Sequence, residues 1–75
     1  MFMDSRVPIP KGTPKDIRQS LDYLQELFDS DEEGHDILWD NFWEGVETDI
    51  KEAVGSGRLS EHDARQIFKR YGFFD

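Results

Sequence analysis

The segment Ile37 to Val54, ILWDNFWEGVETDIKEAV, constrains the fold more than any other part of this chain. Placed on a helix at about 100° per residue, Trp39, Phe42, Trp43, Val46, Ile50 and Ala53 fall on one side, at spacings of three and four. Asp40, Glu44 and Glu47 gather on another side, and Asp36 and Glu33 carry the same line one turn back. One helix therefore holds an aromatic seam and an acidic seam. The first directs folding, and the second is the clearest pointer to a partner.

Two shorter helices flank it. Thr13-Pro14-Lys15-Asp16 is a helix start: Thr can cap, Pro suits the first helical position, and an acid follows three residues after the cap. Ile17, Leu21, Leu24, Leu27 and Phe28 then recur as one apolar face. The run Asp29-Ser-Asp-Glu-Glu-Gly34 is a turn in which Ser30 or Asp31 can cap the next helix, which begins at Asp31 or only after Gly34. Gly55-Ser56-Gly57 ends the central helix. Ser60-Glu-His-Asp63 opens a third with the apolar face Ala64, Ile67, Phe68 and Tyr71, closed by Lys69, Arg70 and Gly72. The sequence thus predicts an all-α, compact three-helix bundle, with helices at about 14–28, 35–54 and 61–71.

The expected core includes Leu21, Leu24, Phe28, Trp39, Phe42, Trp43, Val46, Ile50, Ile67 and Phe68. Gly45 costs about 1 kcal/mol inside a helix relative to Ala, which predicts close approach of a neighbouring helix or ring. Residues 1–12 form an extended or disordered arm before a single domain at 13–75. In the arm, Pro8 and Pro10 alternate with Val7 and Ile9, which can lie across the core. Phe73 and Phe74 follow the last cap; one can fold back on it, and the other needs the core or a partner.

Size makes the aromatic residues matter. A chain of 75 residues buries only about 60% of the surface its unfolded form exposes, and ten aromatic rings offset part of that deficit. There is no Cys, hence no disulfide and no thiolate metal site, which favours an intracellular setting. No run approaches the roughly 20 apolar residues of a membrane span, and MFMDSRVPIPKG lacks the pattern of a signal peptide. The expected location is the cytoplasm.

The net charge of −8 is spread unevenly. Residues 1–12 sum to +1, 13–36 to −6, 37–59 to −3 and 60–75 to zero. Between Gln19 and Ile50 stand eleven acidic residues and no Lys or Arg. Such a surface repels nucleic acid and anionic membrane and attracts a basic protein. Solvated helix faces usually mix signs through Glu-to-Lys pairs four apart; in the seam only Glu47 to Lys51 does so.

Leu27-Phe28 precedes Asp29-x-Asp31-x-Glu33-Gly34, with Asp40 at the twelfth place. Over some twenty residues this resembles an EF-hand calcium loop, with oxygen ligands at positions one, three and five and Gly at six. It departs at the eighth position, where a hydrophobic residue is replaced by Asp36, and at the twelfth, where a bidentate Glu is replaced by the shorter Asp40. A second loop-like run, Ser56-Gly57-x-Leu59-Ser60-x-x-Asp63, lacks first-half acids apart from Glu52 and begins too soon after the first. No metal site and no cofactor are expected.

No catalytic residues are expected either. His35 and His62 each precede an Asp, but adjacent residues on a helix point apart, and Gly55-Ser-Gly57 is too short for a phosphate loop and has no Lys. The functional expectation is a small acidic binding module whose seam of Glu33, Asp36, Asp40, Glu44 and Glu47 engages a basic surface of a partner protein. Such surfaces commonly hold nucleic acid. In general character the chain looks like small acidic inhibitors of phages and mobile elements, and like immunity proteins or antitoxins. The resemblance implies an inhibitor, a cap or a nucleic-acid mimic, with no direct contact to nucleic acid or membrane. Acids three and four residues apart stand about 4.5–6 Å apart along the axis, sparser than duplex phosphates, so mimicry would be approximate. Two rivals stand beside it: an adaptor binding through apolar surface at Phe73, Phe74 and the VPIP arm, and a degenerate EF-hand-like calcium binder.

Overall fold

In the computed structural model, which describes residues 1–72, the three helices form within one residue of their expected bounds: α1 (Lys15–Asp29), α2 (His35–Gly55) and α3 (Glu61–Arg70). Phe73 and Phe74, with their expected fold-back, lie outside the described residues. Helices α1 and α2 run antiparallel as a hairpin. Contacts of opposed sequence order show this: Leu27 meets His35 at the turn, Tyr23 meets Phe42 midway, and Asp16 meets Arg58 at the far end. Helix α3 returns along α2 and closes an all-α three-helix bundle.

The apolar periodicity becomes the core. Ile17, Leu21, Leu24 and Leu27 from α1 meet Trp39, Trp43, Val46, Ile50 and Ala53 from α2 and Ala64, Ile67 and Tyr71 from the α3 end. Trp39 and Trp43 stack with centroids 6.0 Å apart, and Tyr71 lies 4.7 Å from Trp43. Phe28, Phe42 and Phe68, expected inside, are only partly buried and pack around this centre. At the end of α1 Leu27 takes the inward place, and Phe42 turns to the hairpin edge to meet Tyr23. Leu59 is buried although it sits in a loop, where its N–H donates to the Ala53 carbonyl at 3.2 Å. A single loop residue carries no period, so the sequence pattern passes over it.

The helix starts differ in mechanism. Ser60 caps α3 as expected, its hydroxyl accepting from the Asp63 N–H. Thr13 does not cap α1. Its hydroxyl is buried and donates to the Pro10 carbonyl at 2.7 Å, and Pro14 takes the cap position. Neither Ser30 nor Asp31 caps α2. Gly34 does, in the left-handed region at φ 83°, so the helix begins after the glycine. Gly45 has no close neighbour within the described residues: a Cβ there would meet nothing within 4 Å. Gly45→Ala should therefore raise stability by about 0.5–1 kcal/mol, read as a higher urea midpoint at unchanged slope.

The N-terminal arm lies on the bundle, held from α3. The Arg70 guanidinium donates to the Val7 carbonyl at 2.6 Å and to Gln25 Oε1 at 3.4 Å, while the Arg70 carbonyl accepts from the Asp4 N–H at 2.7 Å. Gln66 donates to the Pro8 carbonyl, and Met3 and Ile9 pack on the core. Asp4 to Val7 close a turn rather than a straight strand. The Phe2 ring fits against Gly72, whose φ of 86° and missing side chain leave it room.

Tyr71 is 2% exposed, and its hydroxyl makes no well-formed hydrogen bond among the described residues. Burial pushes its pKa up, partly offset by the neighbouring Arg70 guanidinium. The folded state thus holds this proton to higher pH than the unfolded chain does. Its contribution to stability is intact below about pH 10 and falls as pH rises beyond that value. Tyr71→Phe should change stability at neutral pH by less than about 1 kcal/mol and gain on the parent as the solution becomes alkaline. Urea midpoints taken from neutral pH upward check this.

Candidate partner-binding face

The acidic seam runs along one flank of α2, beside the aromatic face rather than behind it. Asp36, Asp40 and Glu44 are exposed on the helix itself. Glu33 stands one residue before the Gly34 cap, in the turn, because the helix starts after Gly34 and not at Asp31. Glu47 is half-buried, and its carboxylate accepts from Lys51 Nζ at 3.2 Å. Asp40 lies 3.0 Å from the Met1 ammonium. Two of the five seam carboxylates therefore face a cation of this chain, and three stand open to solvent in the turn and first half of α2. Both ion pairs keep much of their surface in water, where such a pair contributes about 0–1 kcal/mol.

The hairpin carries further exposed acids outside the seam. Asp22, Glu26 and Asp29 are exposed along the outside of α1, and Asp31, Glu32 and Glu33 in the turn connect them to α2. The hairpin end is thus acidic from one helix to the other. Spacing along α1 shows that Asp22, Glu26 and Asp29 share a face. Two carboxylates away from this end are paired. Arg58 holds Asp16 at 2.7 Å and keeps its carboxyl below the usual range, and Arg6 does the same for Asp4.

His35 has a structural task that the sequence does not announce. Its Nδ1 lies 2.7 Å from the Leu27 carbonyl, and a carbonyl only accepts, so this nitrogen carries the hydrogen. The ring ties the start of α2 to the end of α1, where the Leu27 carbonyl also accepts the Ser30 N–H at 3.3 Å. His62 is exposed in the first turn of α3, far along the chain from His35. A shallow cleft of about 260 Å³ lies between the end of α2 and α3, with Val54, Ala64 and Phe68 beneath Lys51, Glu61 and Arg65. It is smaller than most small-molecule sites and holds neither histidine.

The EF-hand resemblance meets a different backbone. Helix α2 begins at the loop's seventh position, which places Asp40 in the second turn of that helix, and Asp29 accepts from Gln25 at 2.8 Å. No three His, Asp or Glu side chains converge to hold an ion among the described residues. Millimolar Ca²⁺ should leave the melting temperature and the NMR shifts of Asp29 to Asp40 nearly unchanged. A saturating shift abolished in Asp31→Asn would contradict this.

No helix among the described residues is long and apolar enough to cross a membrane. Compared with known proteins, the chain matches no family model, no curated sequence and no solved structure.

Proposed function

We propose that this protein is a small acidic binding module that engages a basic surface on a partner protein and thereby blocks or caps it. The observation that carries this reading is the continuous acidic end of the α1–α2 hairpin. From Gln19 to Ile50 the chain offers no Lys or Arg, and Glu33, Asp36 and Glu44 stand exposed there, as do Asp22 and Glu26 on α1. Like charges four residues apart on a helix cost a few tenths of a kcal/mol per pair, so this arrangement carries a small standing penalty in the free protein. A basic groove relieves that penalty and is drawn in from a distance.

A groove of that sign commonly serves nucleic acid, so the module acts as an inhibitor or immunity-type cap and approximates a nucleic-acid surface. It works by occupying the groove, with no chemistry of its own and no cofactor. Its place of action is the cytoplasm, where such partners are found.

Affinity capture from the native host at low and at high salt tests the reading. The captured partner should be basic, should elute as salt rises past about 0.3 M, where the screening length falls below about 6 Å, and should be displaced by duplex DNA. Capture that is indifferent to salt and to DNA would favour an apolar adaptor instead.

A further inference from the structure

The hairpin has a second exposed surface, and it is not acidic at its centre. Tyr23 on α1 and Leu38 on α2 are 43% and 53% exposed, and half-buried Phe42 lies between them. Tyr23 and Phe42 meet edge to face with centroids 4.7 Å apart, so the two helices present one joined aromatic surface. Phe42 precedes Trp43 by one residue and so points about 100° away from it around α2. Trp43 faces Phe68 and Tyr71 at the α3 end, which leaves the Phe42 side of the hairpin without a helix over it.

Gly45 belongs to this surface. It follows Phe42 by three residues and Leu38 by seven, on the same face of α2. Apart from its chain neighbours and the backbone of its own helix, no atom of the described residues comes within 4 Å of the place its Cβ would take. A glycine inside a helix weakens it, and here no neighbour in the chain needs the space. The missing side chain leaves a shallow notch at the end of the row Leu38, Phe42. Acids frame the row: Glu26 follows Tyr23 by three residues on α1, Asp22 adjoins it, and Asp49 follows Gly45 by four on α2, all exposed.

We propose that this face seats a basic amphipathic helix of the partner, resting its apolar anchors on Tyr23, Leu38 and Phe42 and its backbone over Gly45. The proposal rests on the reading of a basic partner and names the part of that partner which binds. Two antiparallel helices form a groove that accepts a third by ridge-into-groove packing, and a helix brings its apolar residues to one side at the three- and four-residue spacing the row requires. Lys and Arg flanking those anchors meet Asp22, Glu26 and Asp49. A second copy of this chain is a poor occupant, because its own face carries the same acids and its net charge is −8.

The probe is a synthetic peptide of about 18 residues, long enough to form a helix, with Leu lined on one face and Lys on the other. Two controls share its length: one with the same composition but the Leu scattered, and one with every Lys replaced by Gln. Binding is followed by amide NMR shifts of the full chain. The ordered basic peptide should bind saturably, with the largest shifts at Tyr23, Leu38, Phe42 and Gly45. It should bind at least about tenfold tighter than either control, a difference worth about 1.4 kcal/mol.

Leu38→Asp should weaken it about tenfold without unfolding the protein, since Leu38 is more than half exposed. Gly45→Gln should weaken it comparably while raising the melting temperature, two opposite movements that a merely structural glycine would not give. Equal binding by the scattered peptide, or shifts confined to Asp36, Asp40 and Glu44, would overturn this docking face and leave the acidic-surface reading standing. Equal binding by the uncharged peptide would overturn both. No saturable binding by the ordered peptide would also reject the proposed face.

Discussion

Trp43→Ala is expected to remove about 3–5 kcal/mol of stability, the largest effect of any single substitution in the chain. Trp43 is 5% exposed and stands where the elements converge: it stacks on Trp39, meets Phe68 edge-on at 6.2 Å and lies 4.7 Å from Tyr71. Truncation leaves a cavity that α2, fixed on both sides by α1 and α3, is poorly placed to close. A domain of this length has a total stability of about 4–11 kcal/mol, so the variant should be largely unfolded or melt tens of degrees lower. Loss of near-ultraviolet circular dichroism and a collapsed urea transition are the readouts. A variant that melts within a few degrees of the parent would mean that the three helices are not joined at this ring.

Much of this architecture is legible before any coordinates because the helix signals are redundant. In α1 and α3, a start signal, a three- and four-residue apolar period and a stop agree with one another, and the bounds fall within a residue. The errors fall where one residue has two physical options. Thr13 can cap its helix or bond back to the arm, and the closeness of the Pro10 carbonyl decides for the arm. Leu27 and Phe28 both suit the inner face of α1, and only the packing at the hairpin end selects Leu27. Leu59 and the Arg70 clamp on the arm are contacts across loops, which no period encodes.

The candidate face was legible in part for a related reason. Spacing places Asp36, Asp40 and Glu44 together, because that is a property of one helix. It cannot show that the Met1 ammonium reaches Asp40. The exposure of Tyr23 and Leu38 is likewise a matter of which sides of a hairpin remain uncovered.

The second large effect is expected in binding. Replacing Asp40, Glu44 and Glu47 together by Lys adds two charges at each position and takes the formal net charge from −8 to −2. Folding should hold. Asp40 and Glu44 are exposed, and the lost ion pairs of Asp40 and Glu47 are surface pairs of about 0–1 kcal/mol each. Lys at position 47 also meets Lys51, a small further repulsion. Against a basic partner the change places cation against cation, a penalty of several kcal/mol. Affinity should therefore fall by two orders of magnitude or more, while the melting temperature moves by only a few degrees. Charge reversal at Glu61, outside the seam, is the control and should do little.

The most direct measurement is the association rate constant of the parent and of the Asp40, Glu44, Glu47 triple variant with the captured partner, taken across a range of ionic strength. If the acidic end of the hairpin draws in a basic surface, the parent associates fast at low salt and slows steeply as salt rises. The triple variant should start one or more orders of magnitude slower, and the two rates should converge at high salt. Equal rates for the two proteins at low salt, with the same flat dependence on ionic strength, would contradict the account and reduce the acidic surface to a device for solubility.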